Sequence, residues 1–257
     1  MRVSSAGLAG WAVAGSRWAD AVPERGIRFG LVTDSHFAER EPAGIRFYRE
    51  SLRKMNECVA QMTEKKADFL VELGDFKDQG DPPAETQTLE FLGRIESAFA
   101  KFEGPRYHVL GNHDMDSISK AQFLGAVQNT GIARERSYYS FDRKGVHFVV
   151  LDANFRDDGS DYDHGNFKWT EPNVPRAELD WLTQDLAGAE GPVVVFVHQR
   201  LDGEGDVFVT NAEQVRAVLE GSGKVLAVFQ GHHHSGAITE VNGIHYYTLK
   251  AMVEGAE

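Results

Sequence analysis

Five short stretches of the chain carry side chains that bind metals, and they come in one order. They are Asp34-Ser35-His36, Gly74-Asp75, Gly111-Asn112-His113-Asp114, His198 and Gly231-His232-His233-His234. Asp34, His36, Asp75, Asn112, His198, His232 and His234 are the candidate metal ligands. Residues i and i+2 of an extended segment point to one side. Asp34 and His36 are therefore expected to reach one ion together, and His232 and His234 repeat the i, i+2 spacing. Asp75 has two carboxylate oxygens, enough to bridge two ions, and Asn112 offers a neutral carbonyl oxygen. Mixed oxygen and imidazole ligands suit manganese, iron, zinc or cobalt better than calcium or magnesium.

Two divalent ions about 3.5–4 Å apart lower the pKa of a bound water, orient it, and clamp phosphoryl oxygens during in-line displacement. The leaving oxygen then needs a proton. His113 lies beside Asn112 and is not needed as a ligand. An imidazole near its pKa suits general acid work. Asp114 is expected to hold that ring in the right tautomer, which makes His113 and Asp114 the candidate catalytic pair.

Each stretch needs an element to position it. Apolar runs over residues 27–32, 68–73, 107–110, 193–197 and 225–229 read as strands that stop just before the five stretches. Two more strands are expected at 137–141 and 146–151, joined by a turn at 142–145, and a last one at 244–249. Leu52, Met55, Val59 and Met62 mark one helical face within 45–65; Leu92, Ile95, Phe99 and Phe102 mark a second. Helices are also expected at 177–187 and 211–220, the latter capped by Asn211. Alternating strands and helices give an α/β fold. In such folds ligands sit beyond the carboxyl ends of strands, where all five stretches fall.

The order D-x-H, G-D-x-x-D, G-N-H-D, H, G-H-x-H resembles the calcineurin-like metallophosphoesterases over Asp34 to His234. The resemblance implies a four-layer α/β/β/α sandwich with a two-metal centre between its loops. By motif position, Asp34, His36, Asp75 and His234 would hold one metal, and Asp75, Asn112, His198 and His232 the other. His113 would be the proton donor or orient phosphate. Weaker likeness, in Tyr138-Tyr139-Ser140-Phe141 and Leu151-Asp152-Ala153-Asn154, points to bacterial members and ADP-ribose/CDP-alcohol diphosphatases. The expected activity is two-metal hydrolysis of a small phosphorylated substrate, a phosphodiester or nucleotide diphosphate ahead of a phosphomonoester. A non-catalytic scaffold is disfavoured because no ligand position is lost. An amidohydrolase would open on His-x-His, whereas this chain opens on Asp-x-His.

Bulk composition narrows the partners. The 257 residues carry a net charge of −12, and no basic run stands out. That disfavours nucleic acid, whose binders show basic patches. Cys58 is the sole cysteine, so no intrachain disulfide is possible. No stretch reaches the roughly 18 apolar residues of a membrane span. Met1-Arg2, a weakly apolar stretch at 3–15 and Ala19-Asp20-Ala21 are laid out as a signal peptide and its cleavage site, so residues 1–24 are set apart from a domain at 25–257. Export to the periplasm or beyond is the expectation; a plain N-terminal tail would leave the protein in the cytoplasm. A chain stopping just after a strand is expected to be truncated at its C-terminus.

Other residues get plainer readings. His108, His147 and His245 lie inside expected strands and read as structural. His233 is expected to point away from its neighbours, and Asp78 to fix a loop behind the ligands. The acidic, aromatic segment 157–169 reads as a surface loop or a substrate lid in which Tyr162, Phe167 or Trp169 could stack on a ring. Arg200 reads as a surface residue, with a reach toward substrate phosphate as the alternative.

Overall fold

The computed structural model describes residues 26–255. The expected signal segment therefore lies outside the described residues. Three parallel strands form the first sheet, β1 (Phe29–Val32), β2 (Phe69–Glu72) and β3 (Arg106–His108), in the order β1-β2-β3. The helices α1 (Ser51–Glu64), α2 (Glu85–Phe99) and α3 (Lys120–Ala126) belong to this half. The second half contains β4 (Tyr139–Arg143), β5 (Val146–Val150), α4 (Arg176–Gly188), β6 (Val193–Phe196), α5 (Ala212–Ser222), β7 (Val225–Gln230), β8 (Ser235–Val241) and β9 (Ile244–Lys250). Its sheet runs β4-β5-β6-β7-β9-β8. β5, β6, β7 and β9 are parallel, and β4 and β8 pair antiparallel at the two edges.

Successive strand residues point to opposite faces, and that alternation builds the four layers. Leu70 faces Met55, Val59, Leu92 and Ile95 in the core beneath α1 and α2. Its neighbours Phe69 and Val71 face the other sheet, packing with Tyr107, Phe148, Val150 and Phe196. Val149, Val193 and Val195 face α4 and α5, meeting Leu182, Leu186, Val215 and Leu219. The result is an α/β/β/α sandwich. Strands buried on both faces explain the apolar runs over residues 69–71 of β2 and across β6.

Several boundaries differ from the sequence expectation. The first helix starts at Ser51, not 45, because Ala43 and Arg46 pair across a turn and Tyr48–Glu50 make a 3-10 turn first. Phe102 is buried but lies beyond the end of α2 at Phe99. Asn211 occupies the N-cap of α5, yet its side chain does not cap it; the amide bonds the Val174 backbone instead. α3 and β8 were not expected. β8 is an edge strand, mostly exposed or half-buried, so it carries little hydrophobic pattern. A turn signal was present, however: Asn242-Gly243 joins β8 to β9 with both residues at positive φ.

Candidate metal centre

All five stretches converge at the carboxyl ends of β1, β2, β3, β6 and β7. The local backbone is not extended there. Asp34, His36, Asp75 and His232 have φ of 52°, 44°, 55° and 64°. Left-handed conformations in non-glycine residues cost energy and gather at functional sites. The i, i+2 argument therefore paired Asp34 with His36 for the wrong reason, and it fails for His232 and His234, which fall in different donor groups. Asp34 and His36 meet because the chain curls: their amides donate to the carbonyls of Gly74 and Asp75, at 3.0 and 2.8 Å.

Three groups of potential donors result among the described residues; His36, Asp78 and His113 form one, and the other two gather the expected ligands. In the first of these two, His36 Nε2 and His234 Nε2 are 3.2 Å apart, with Asp34 Oδ1 at 3.7 and 3.3 Å from them. In the second, Asp75, His198 and His232 converge. Asp75 Oδ2 links the groups, at 3.6 Å from His36 Nε2 and 3.1 Å from His198 Nε2. Ligands about 2.0–2.2 Å from a metal ion must lie a little over 3 Å from one another, and these spacings are of that size. Asp34 Oδ1, Asn112 Oδ1, His198 Nε2 and His232 Nε2 are buried with no hydrogen-bond partner. Buried polar atoms without partners are costly, so a cation pair fits this donor set.

The groups behind the donors orient them. His198 Nδ1 donates to the Leu73 carbonyl at 2.8 Å, which leaves the Nε2 lone pair bare. His234 Nδ1 lies 2.9 Å from Glu254 Oε1. Asp78 sets one oxygen 3.6 Å from His36 Nδ1 and the other 3.5 Å from Arg40.

Negative charge dominates the cluster. Burial opposes the imidazolium of His198, yet Asp75 pushes its pKa up to about 9. Burial and the neighbouring His198 push His232 down to about 3, which leaves a neutral imidazole suited to ligation. Burial would raise Asp34 and Asp75, but the surrounding histidines hold both carboxylates well below the ordinary range. Bound dications would answer this charge imbalance directly.

Asp114 does not serve His113. Its carboxylate accepts from the backbone amides of Gly111, Asp75 and Phe76, at 2.8, 3.1 and 3.0 Å. It clamps the loop carrying Asn112 to the loop carrying Asp75. The partner of His113 is Asp116, whose Oδ2 lies 2.8 Å from Nδ1. A one-turn 3-10 helix over Asn112–Met115 causes this exchange, since it brings residue i+3 beside residue i. Sequence reasoning missed Asp116, although the i+3 spacing was visible, and missed Glu254, which no motif marks.

The remaining sites sort themselves by contact. His108 is held between Glu96 and Asn129, His147 between Asp142 and Asp185, and His245 pairs with Glu240. His233 does not turn away: it lines the cavity over the donor groups and lies 3.3 Å from Arg200. Arg200 is not a surface residue. It is buried, bonded twice to Asp202 and stacked on Phe208. That cavity, about 500 Å³, is also lined by Asn112, His113, His232, His234, Arg46 and Trp169.

A model of the calcineurin-like phosphoesterase family matches residues 27–236, and the chain belongs to that family. It is a metal-dependent hydrolase of phosphoesters. A rice (Oryza sativa) protein named manganese-dependent ADP-ribose/CDP-alcohol diphosphatase is 26% identical, over 88% of this chain and 83% of its own length. An Arabidopsis thaliana protein of the same name is 23% identical, over 88% and 86%. A dimetal phosphatase from Danio rerio shares the fold, with a TM-score of 0.75 at 21% identity over 89% of this chain and 88% of that one. Among the described residues no helix is long and apolar enough to cross a membrane.

Proposed function

We propose that this protein hydrolyses the diphosphate bond of a nucleotide-diphosphate substrate, with manganese as the metal at both positions. The position of Asp75 carries the reading: one carboxylate oxygen lies between two donor groups, beside which Asp34 Oδ1, Asn112 Oδ1, His198 Nε2 and His232 Nε2 are buried without partners. Asp34, His36, Asp75 and His234 would hold one ion, and Asp75, Asn112, His198 and His232 the other. Bound there, the pair would lower the pKa of a water and polarise the phosphoryl oxygens.

The chain's own residues do the rest. His113 is partly exposed to the cavity, and its Nδ1 is committed to Asp116, which leaves Nε2 to carry the proton for the leaving oxygen. Burial opposes its charged form, while the nearby Asp75 and Asp116 carboxylates raise its pKa above that of a free imidazole. Arg46, also on the cavity wall, supplies a cation for the second phosphate, which a monoester lacks. The names of the rice and Arabidopsis relatives support both the metal and the substrate class.

The test is turnover of ADP-ribose, CDP-choline, bis-p-nitrophenyl phosphate and p-nitrophenyl phosphate, with Mn²⁺ and with chelator. Metal-dependent cleavage that favours the diphosphates is expected. Preference for p-nitrophenyl phosphate would make the protein a phosphomonoesterase. Inactivity on all four with two ions bound would make it a scaffold.

A further inference from the structure

The acidic segment after β5 carries three aromatic residues, and the structure gives them different work. Tyr162 and Phe167 are stacked on each other, ring centroids 4.1 Å apart and nearly parallel at 6°. Tyr162 is fully buried, so neither of its faces is open to a ligand. Trp169 is 49% exposed and lies on the wall of the cavity over the metal centre. Its ring centroid is 5.7 Å from that of His232, inclined at 57°. Among the described residues, the other large exposed apolar side chains, Ile45, Leu226 and Ile238, do not line that cavity.

An exposed indole on a cavity wall keeps apolar area in water that the ring of a ligand would cover favourably. Here the backbone that carries it is fixed beforehand. The Lys168 carbonyl accepts from Tyr162 Oη and from the Glu171 amide, and Asn173 donates to Ala153 at the end of β5. A ring on an anchored backbone stacks at less ordering cost than one on a free loop. The cavity has the size of an ordinary small-molecule site.

Resting on the phosphoesterase reading above, we infer that Trp169 is the nucleoside-recognition residue: its indole stacks on the base of the nucleotide while the phosphates lie at the metal centre. Base–aromatic stacking tolerates any base because each has a π-face. Trp169 therefore selects for a nucleoside and leaves its identity open, adenine or cytosine.

The experiment compares Trp169→Leu and Trp169→Phe with the parent protein, all loaded with Mn²⁺. Two substrates are used, ADP-ribose and a dialkyl diphosphate that has no ring. Trp169→Leu is expected to raise KM for ADP-ribose about 10- to 100-fold, to change kcat little, and to leave the ring-free substrate unaffected. Trp169→Phe should recover most of the loss. Equal losses on both substrates, or none on ADP-ribose, would overturn the inference. Calorimetric binding of AMP against ribose 5-phosphate gives a readout independent of turnover. Trp169→Leu should weaken AMP alone, and a variant that binds AMP as well as the parent does would overturn it. If the parent cleaves neither diphosphate, the function reading fails, and the AMP comparison still decides the role of Trp169.

Discussion

His113 Nδ1 lies 2.8 Å from Asp116 Oδ2, and this pair, rather than His113 with its chain neighbour Asp114, positions the ring at the cavity. Asp78 stands behind it, 3.8 Å from the same nitrogen. Removing the imidazole should cost far more than removing its support. His113→Ala is expected to lower kcat by about 10²–10⁴ with two ions still bound. Asp116→Asn should cost about 10- to 100-fold, whereas Asp114→Asn should act through stability and metal content. Steady-state kinetics with metal analysis on each variant separates these; loss of metal in His113→Ala would make His113 a ligand.

Asp75 is shared between the two donor groups, so its replacement should not empty one position alone. Asp75→Asn keeps the size of the side chain but halves its ligating oxygens. The expected result is fewer than one tightly bound Mn²⁺ per chain after dialysis and loss of measurable turnover. Two retained ions would show that each group is complete without it.

The donor residues were legible because metal chemistry restricts residue type so sharply. Asp34, His36, His198 and His234 can be found from composition at strand ends, and the apolar runs of β2 and β6 follow from burial on both faces. The supporting groups were not legible. Glu254 reaches His234 from twenty residues away, and Leu73 acts through its carbonyl, which every residue has. Asp114 adjoins His113 in sequence and Asp116 lies three residues on, and only the 3-10 geometry over Asn112–Met115 makes the farther one its partner. β8 escaped because an edge strand with half its residues toward solvent has no pattern to read, even though its Asn-Gly turn was in plain view.

Gly111 is where the loops from β2 and β3 come closest. A Cβ there would run into the backbone nitrogen and Oδ1 of Asp75. Gly111→Ala should destabilise by about 1–3 kcal/mol, the usual range for overpacking, and should move the shared carboxylate. Manganese affinity should fall along with the urea midpoint. A variant that loses stability yet binds metal normally would show that the loop relaxes away from Asp75.

Lys120 is the cation that ties the acidic segment to the core. Its Nζ bonds Asp152 Oδ2 at 2.7 Å, the Asn154 carbonyl at 3.0 Å and Asp161 at 2.8 Å, and it lies 3.5 Å over the Phe155 ring. Asp152 is fully buried, so removing the cation leaves a buried charge without its partner. Lys120→Ala is expected to cost about 3–5 kcal/mol, and Lys120→Met slightly less because its stem still packs. Equilibrium unfolding in urea measures this; a loss below about 1 kcal/mol, typical of an exposed pair, would show that Asp152 is satisfied by its remaining amide donors.

His147 sits far from the donor groups, with Nε2 2.8 Å from Asp185 and Nδ1 2.9 Å from Asp142. The hydrogen bond to Asp185, opposed by burial and aided by Asp142, raises its pKa above that of a free imidazole. A folded-state pKa above the unfolded value of about 6.5 means that the fold binds a proton the unfolded chain has begun to release. The contribution is complete below about pH 6.5 and is lost as pH rises through the folded value. It joins the β4–β5 hairpin to α4, so its loss loosens one end of the second sheet. The urea midpoint should therefore decline on the alkaline side of pH 6.5, and His147→Gln, which cannot titrate, should flatten that decline while lowering stability at acid pH. A variant whose pH profile runs parallel to the parent's would assign the dependence to other groups.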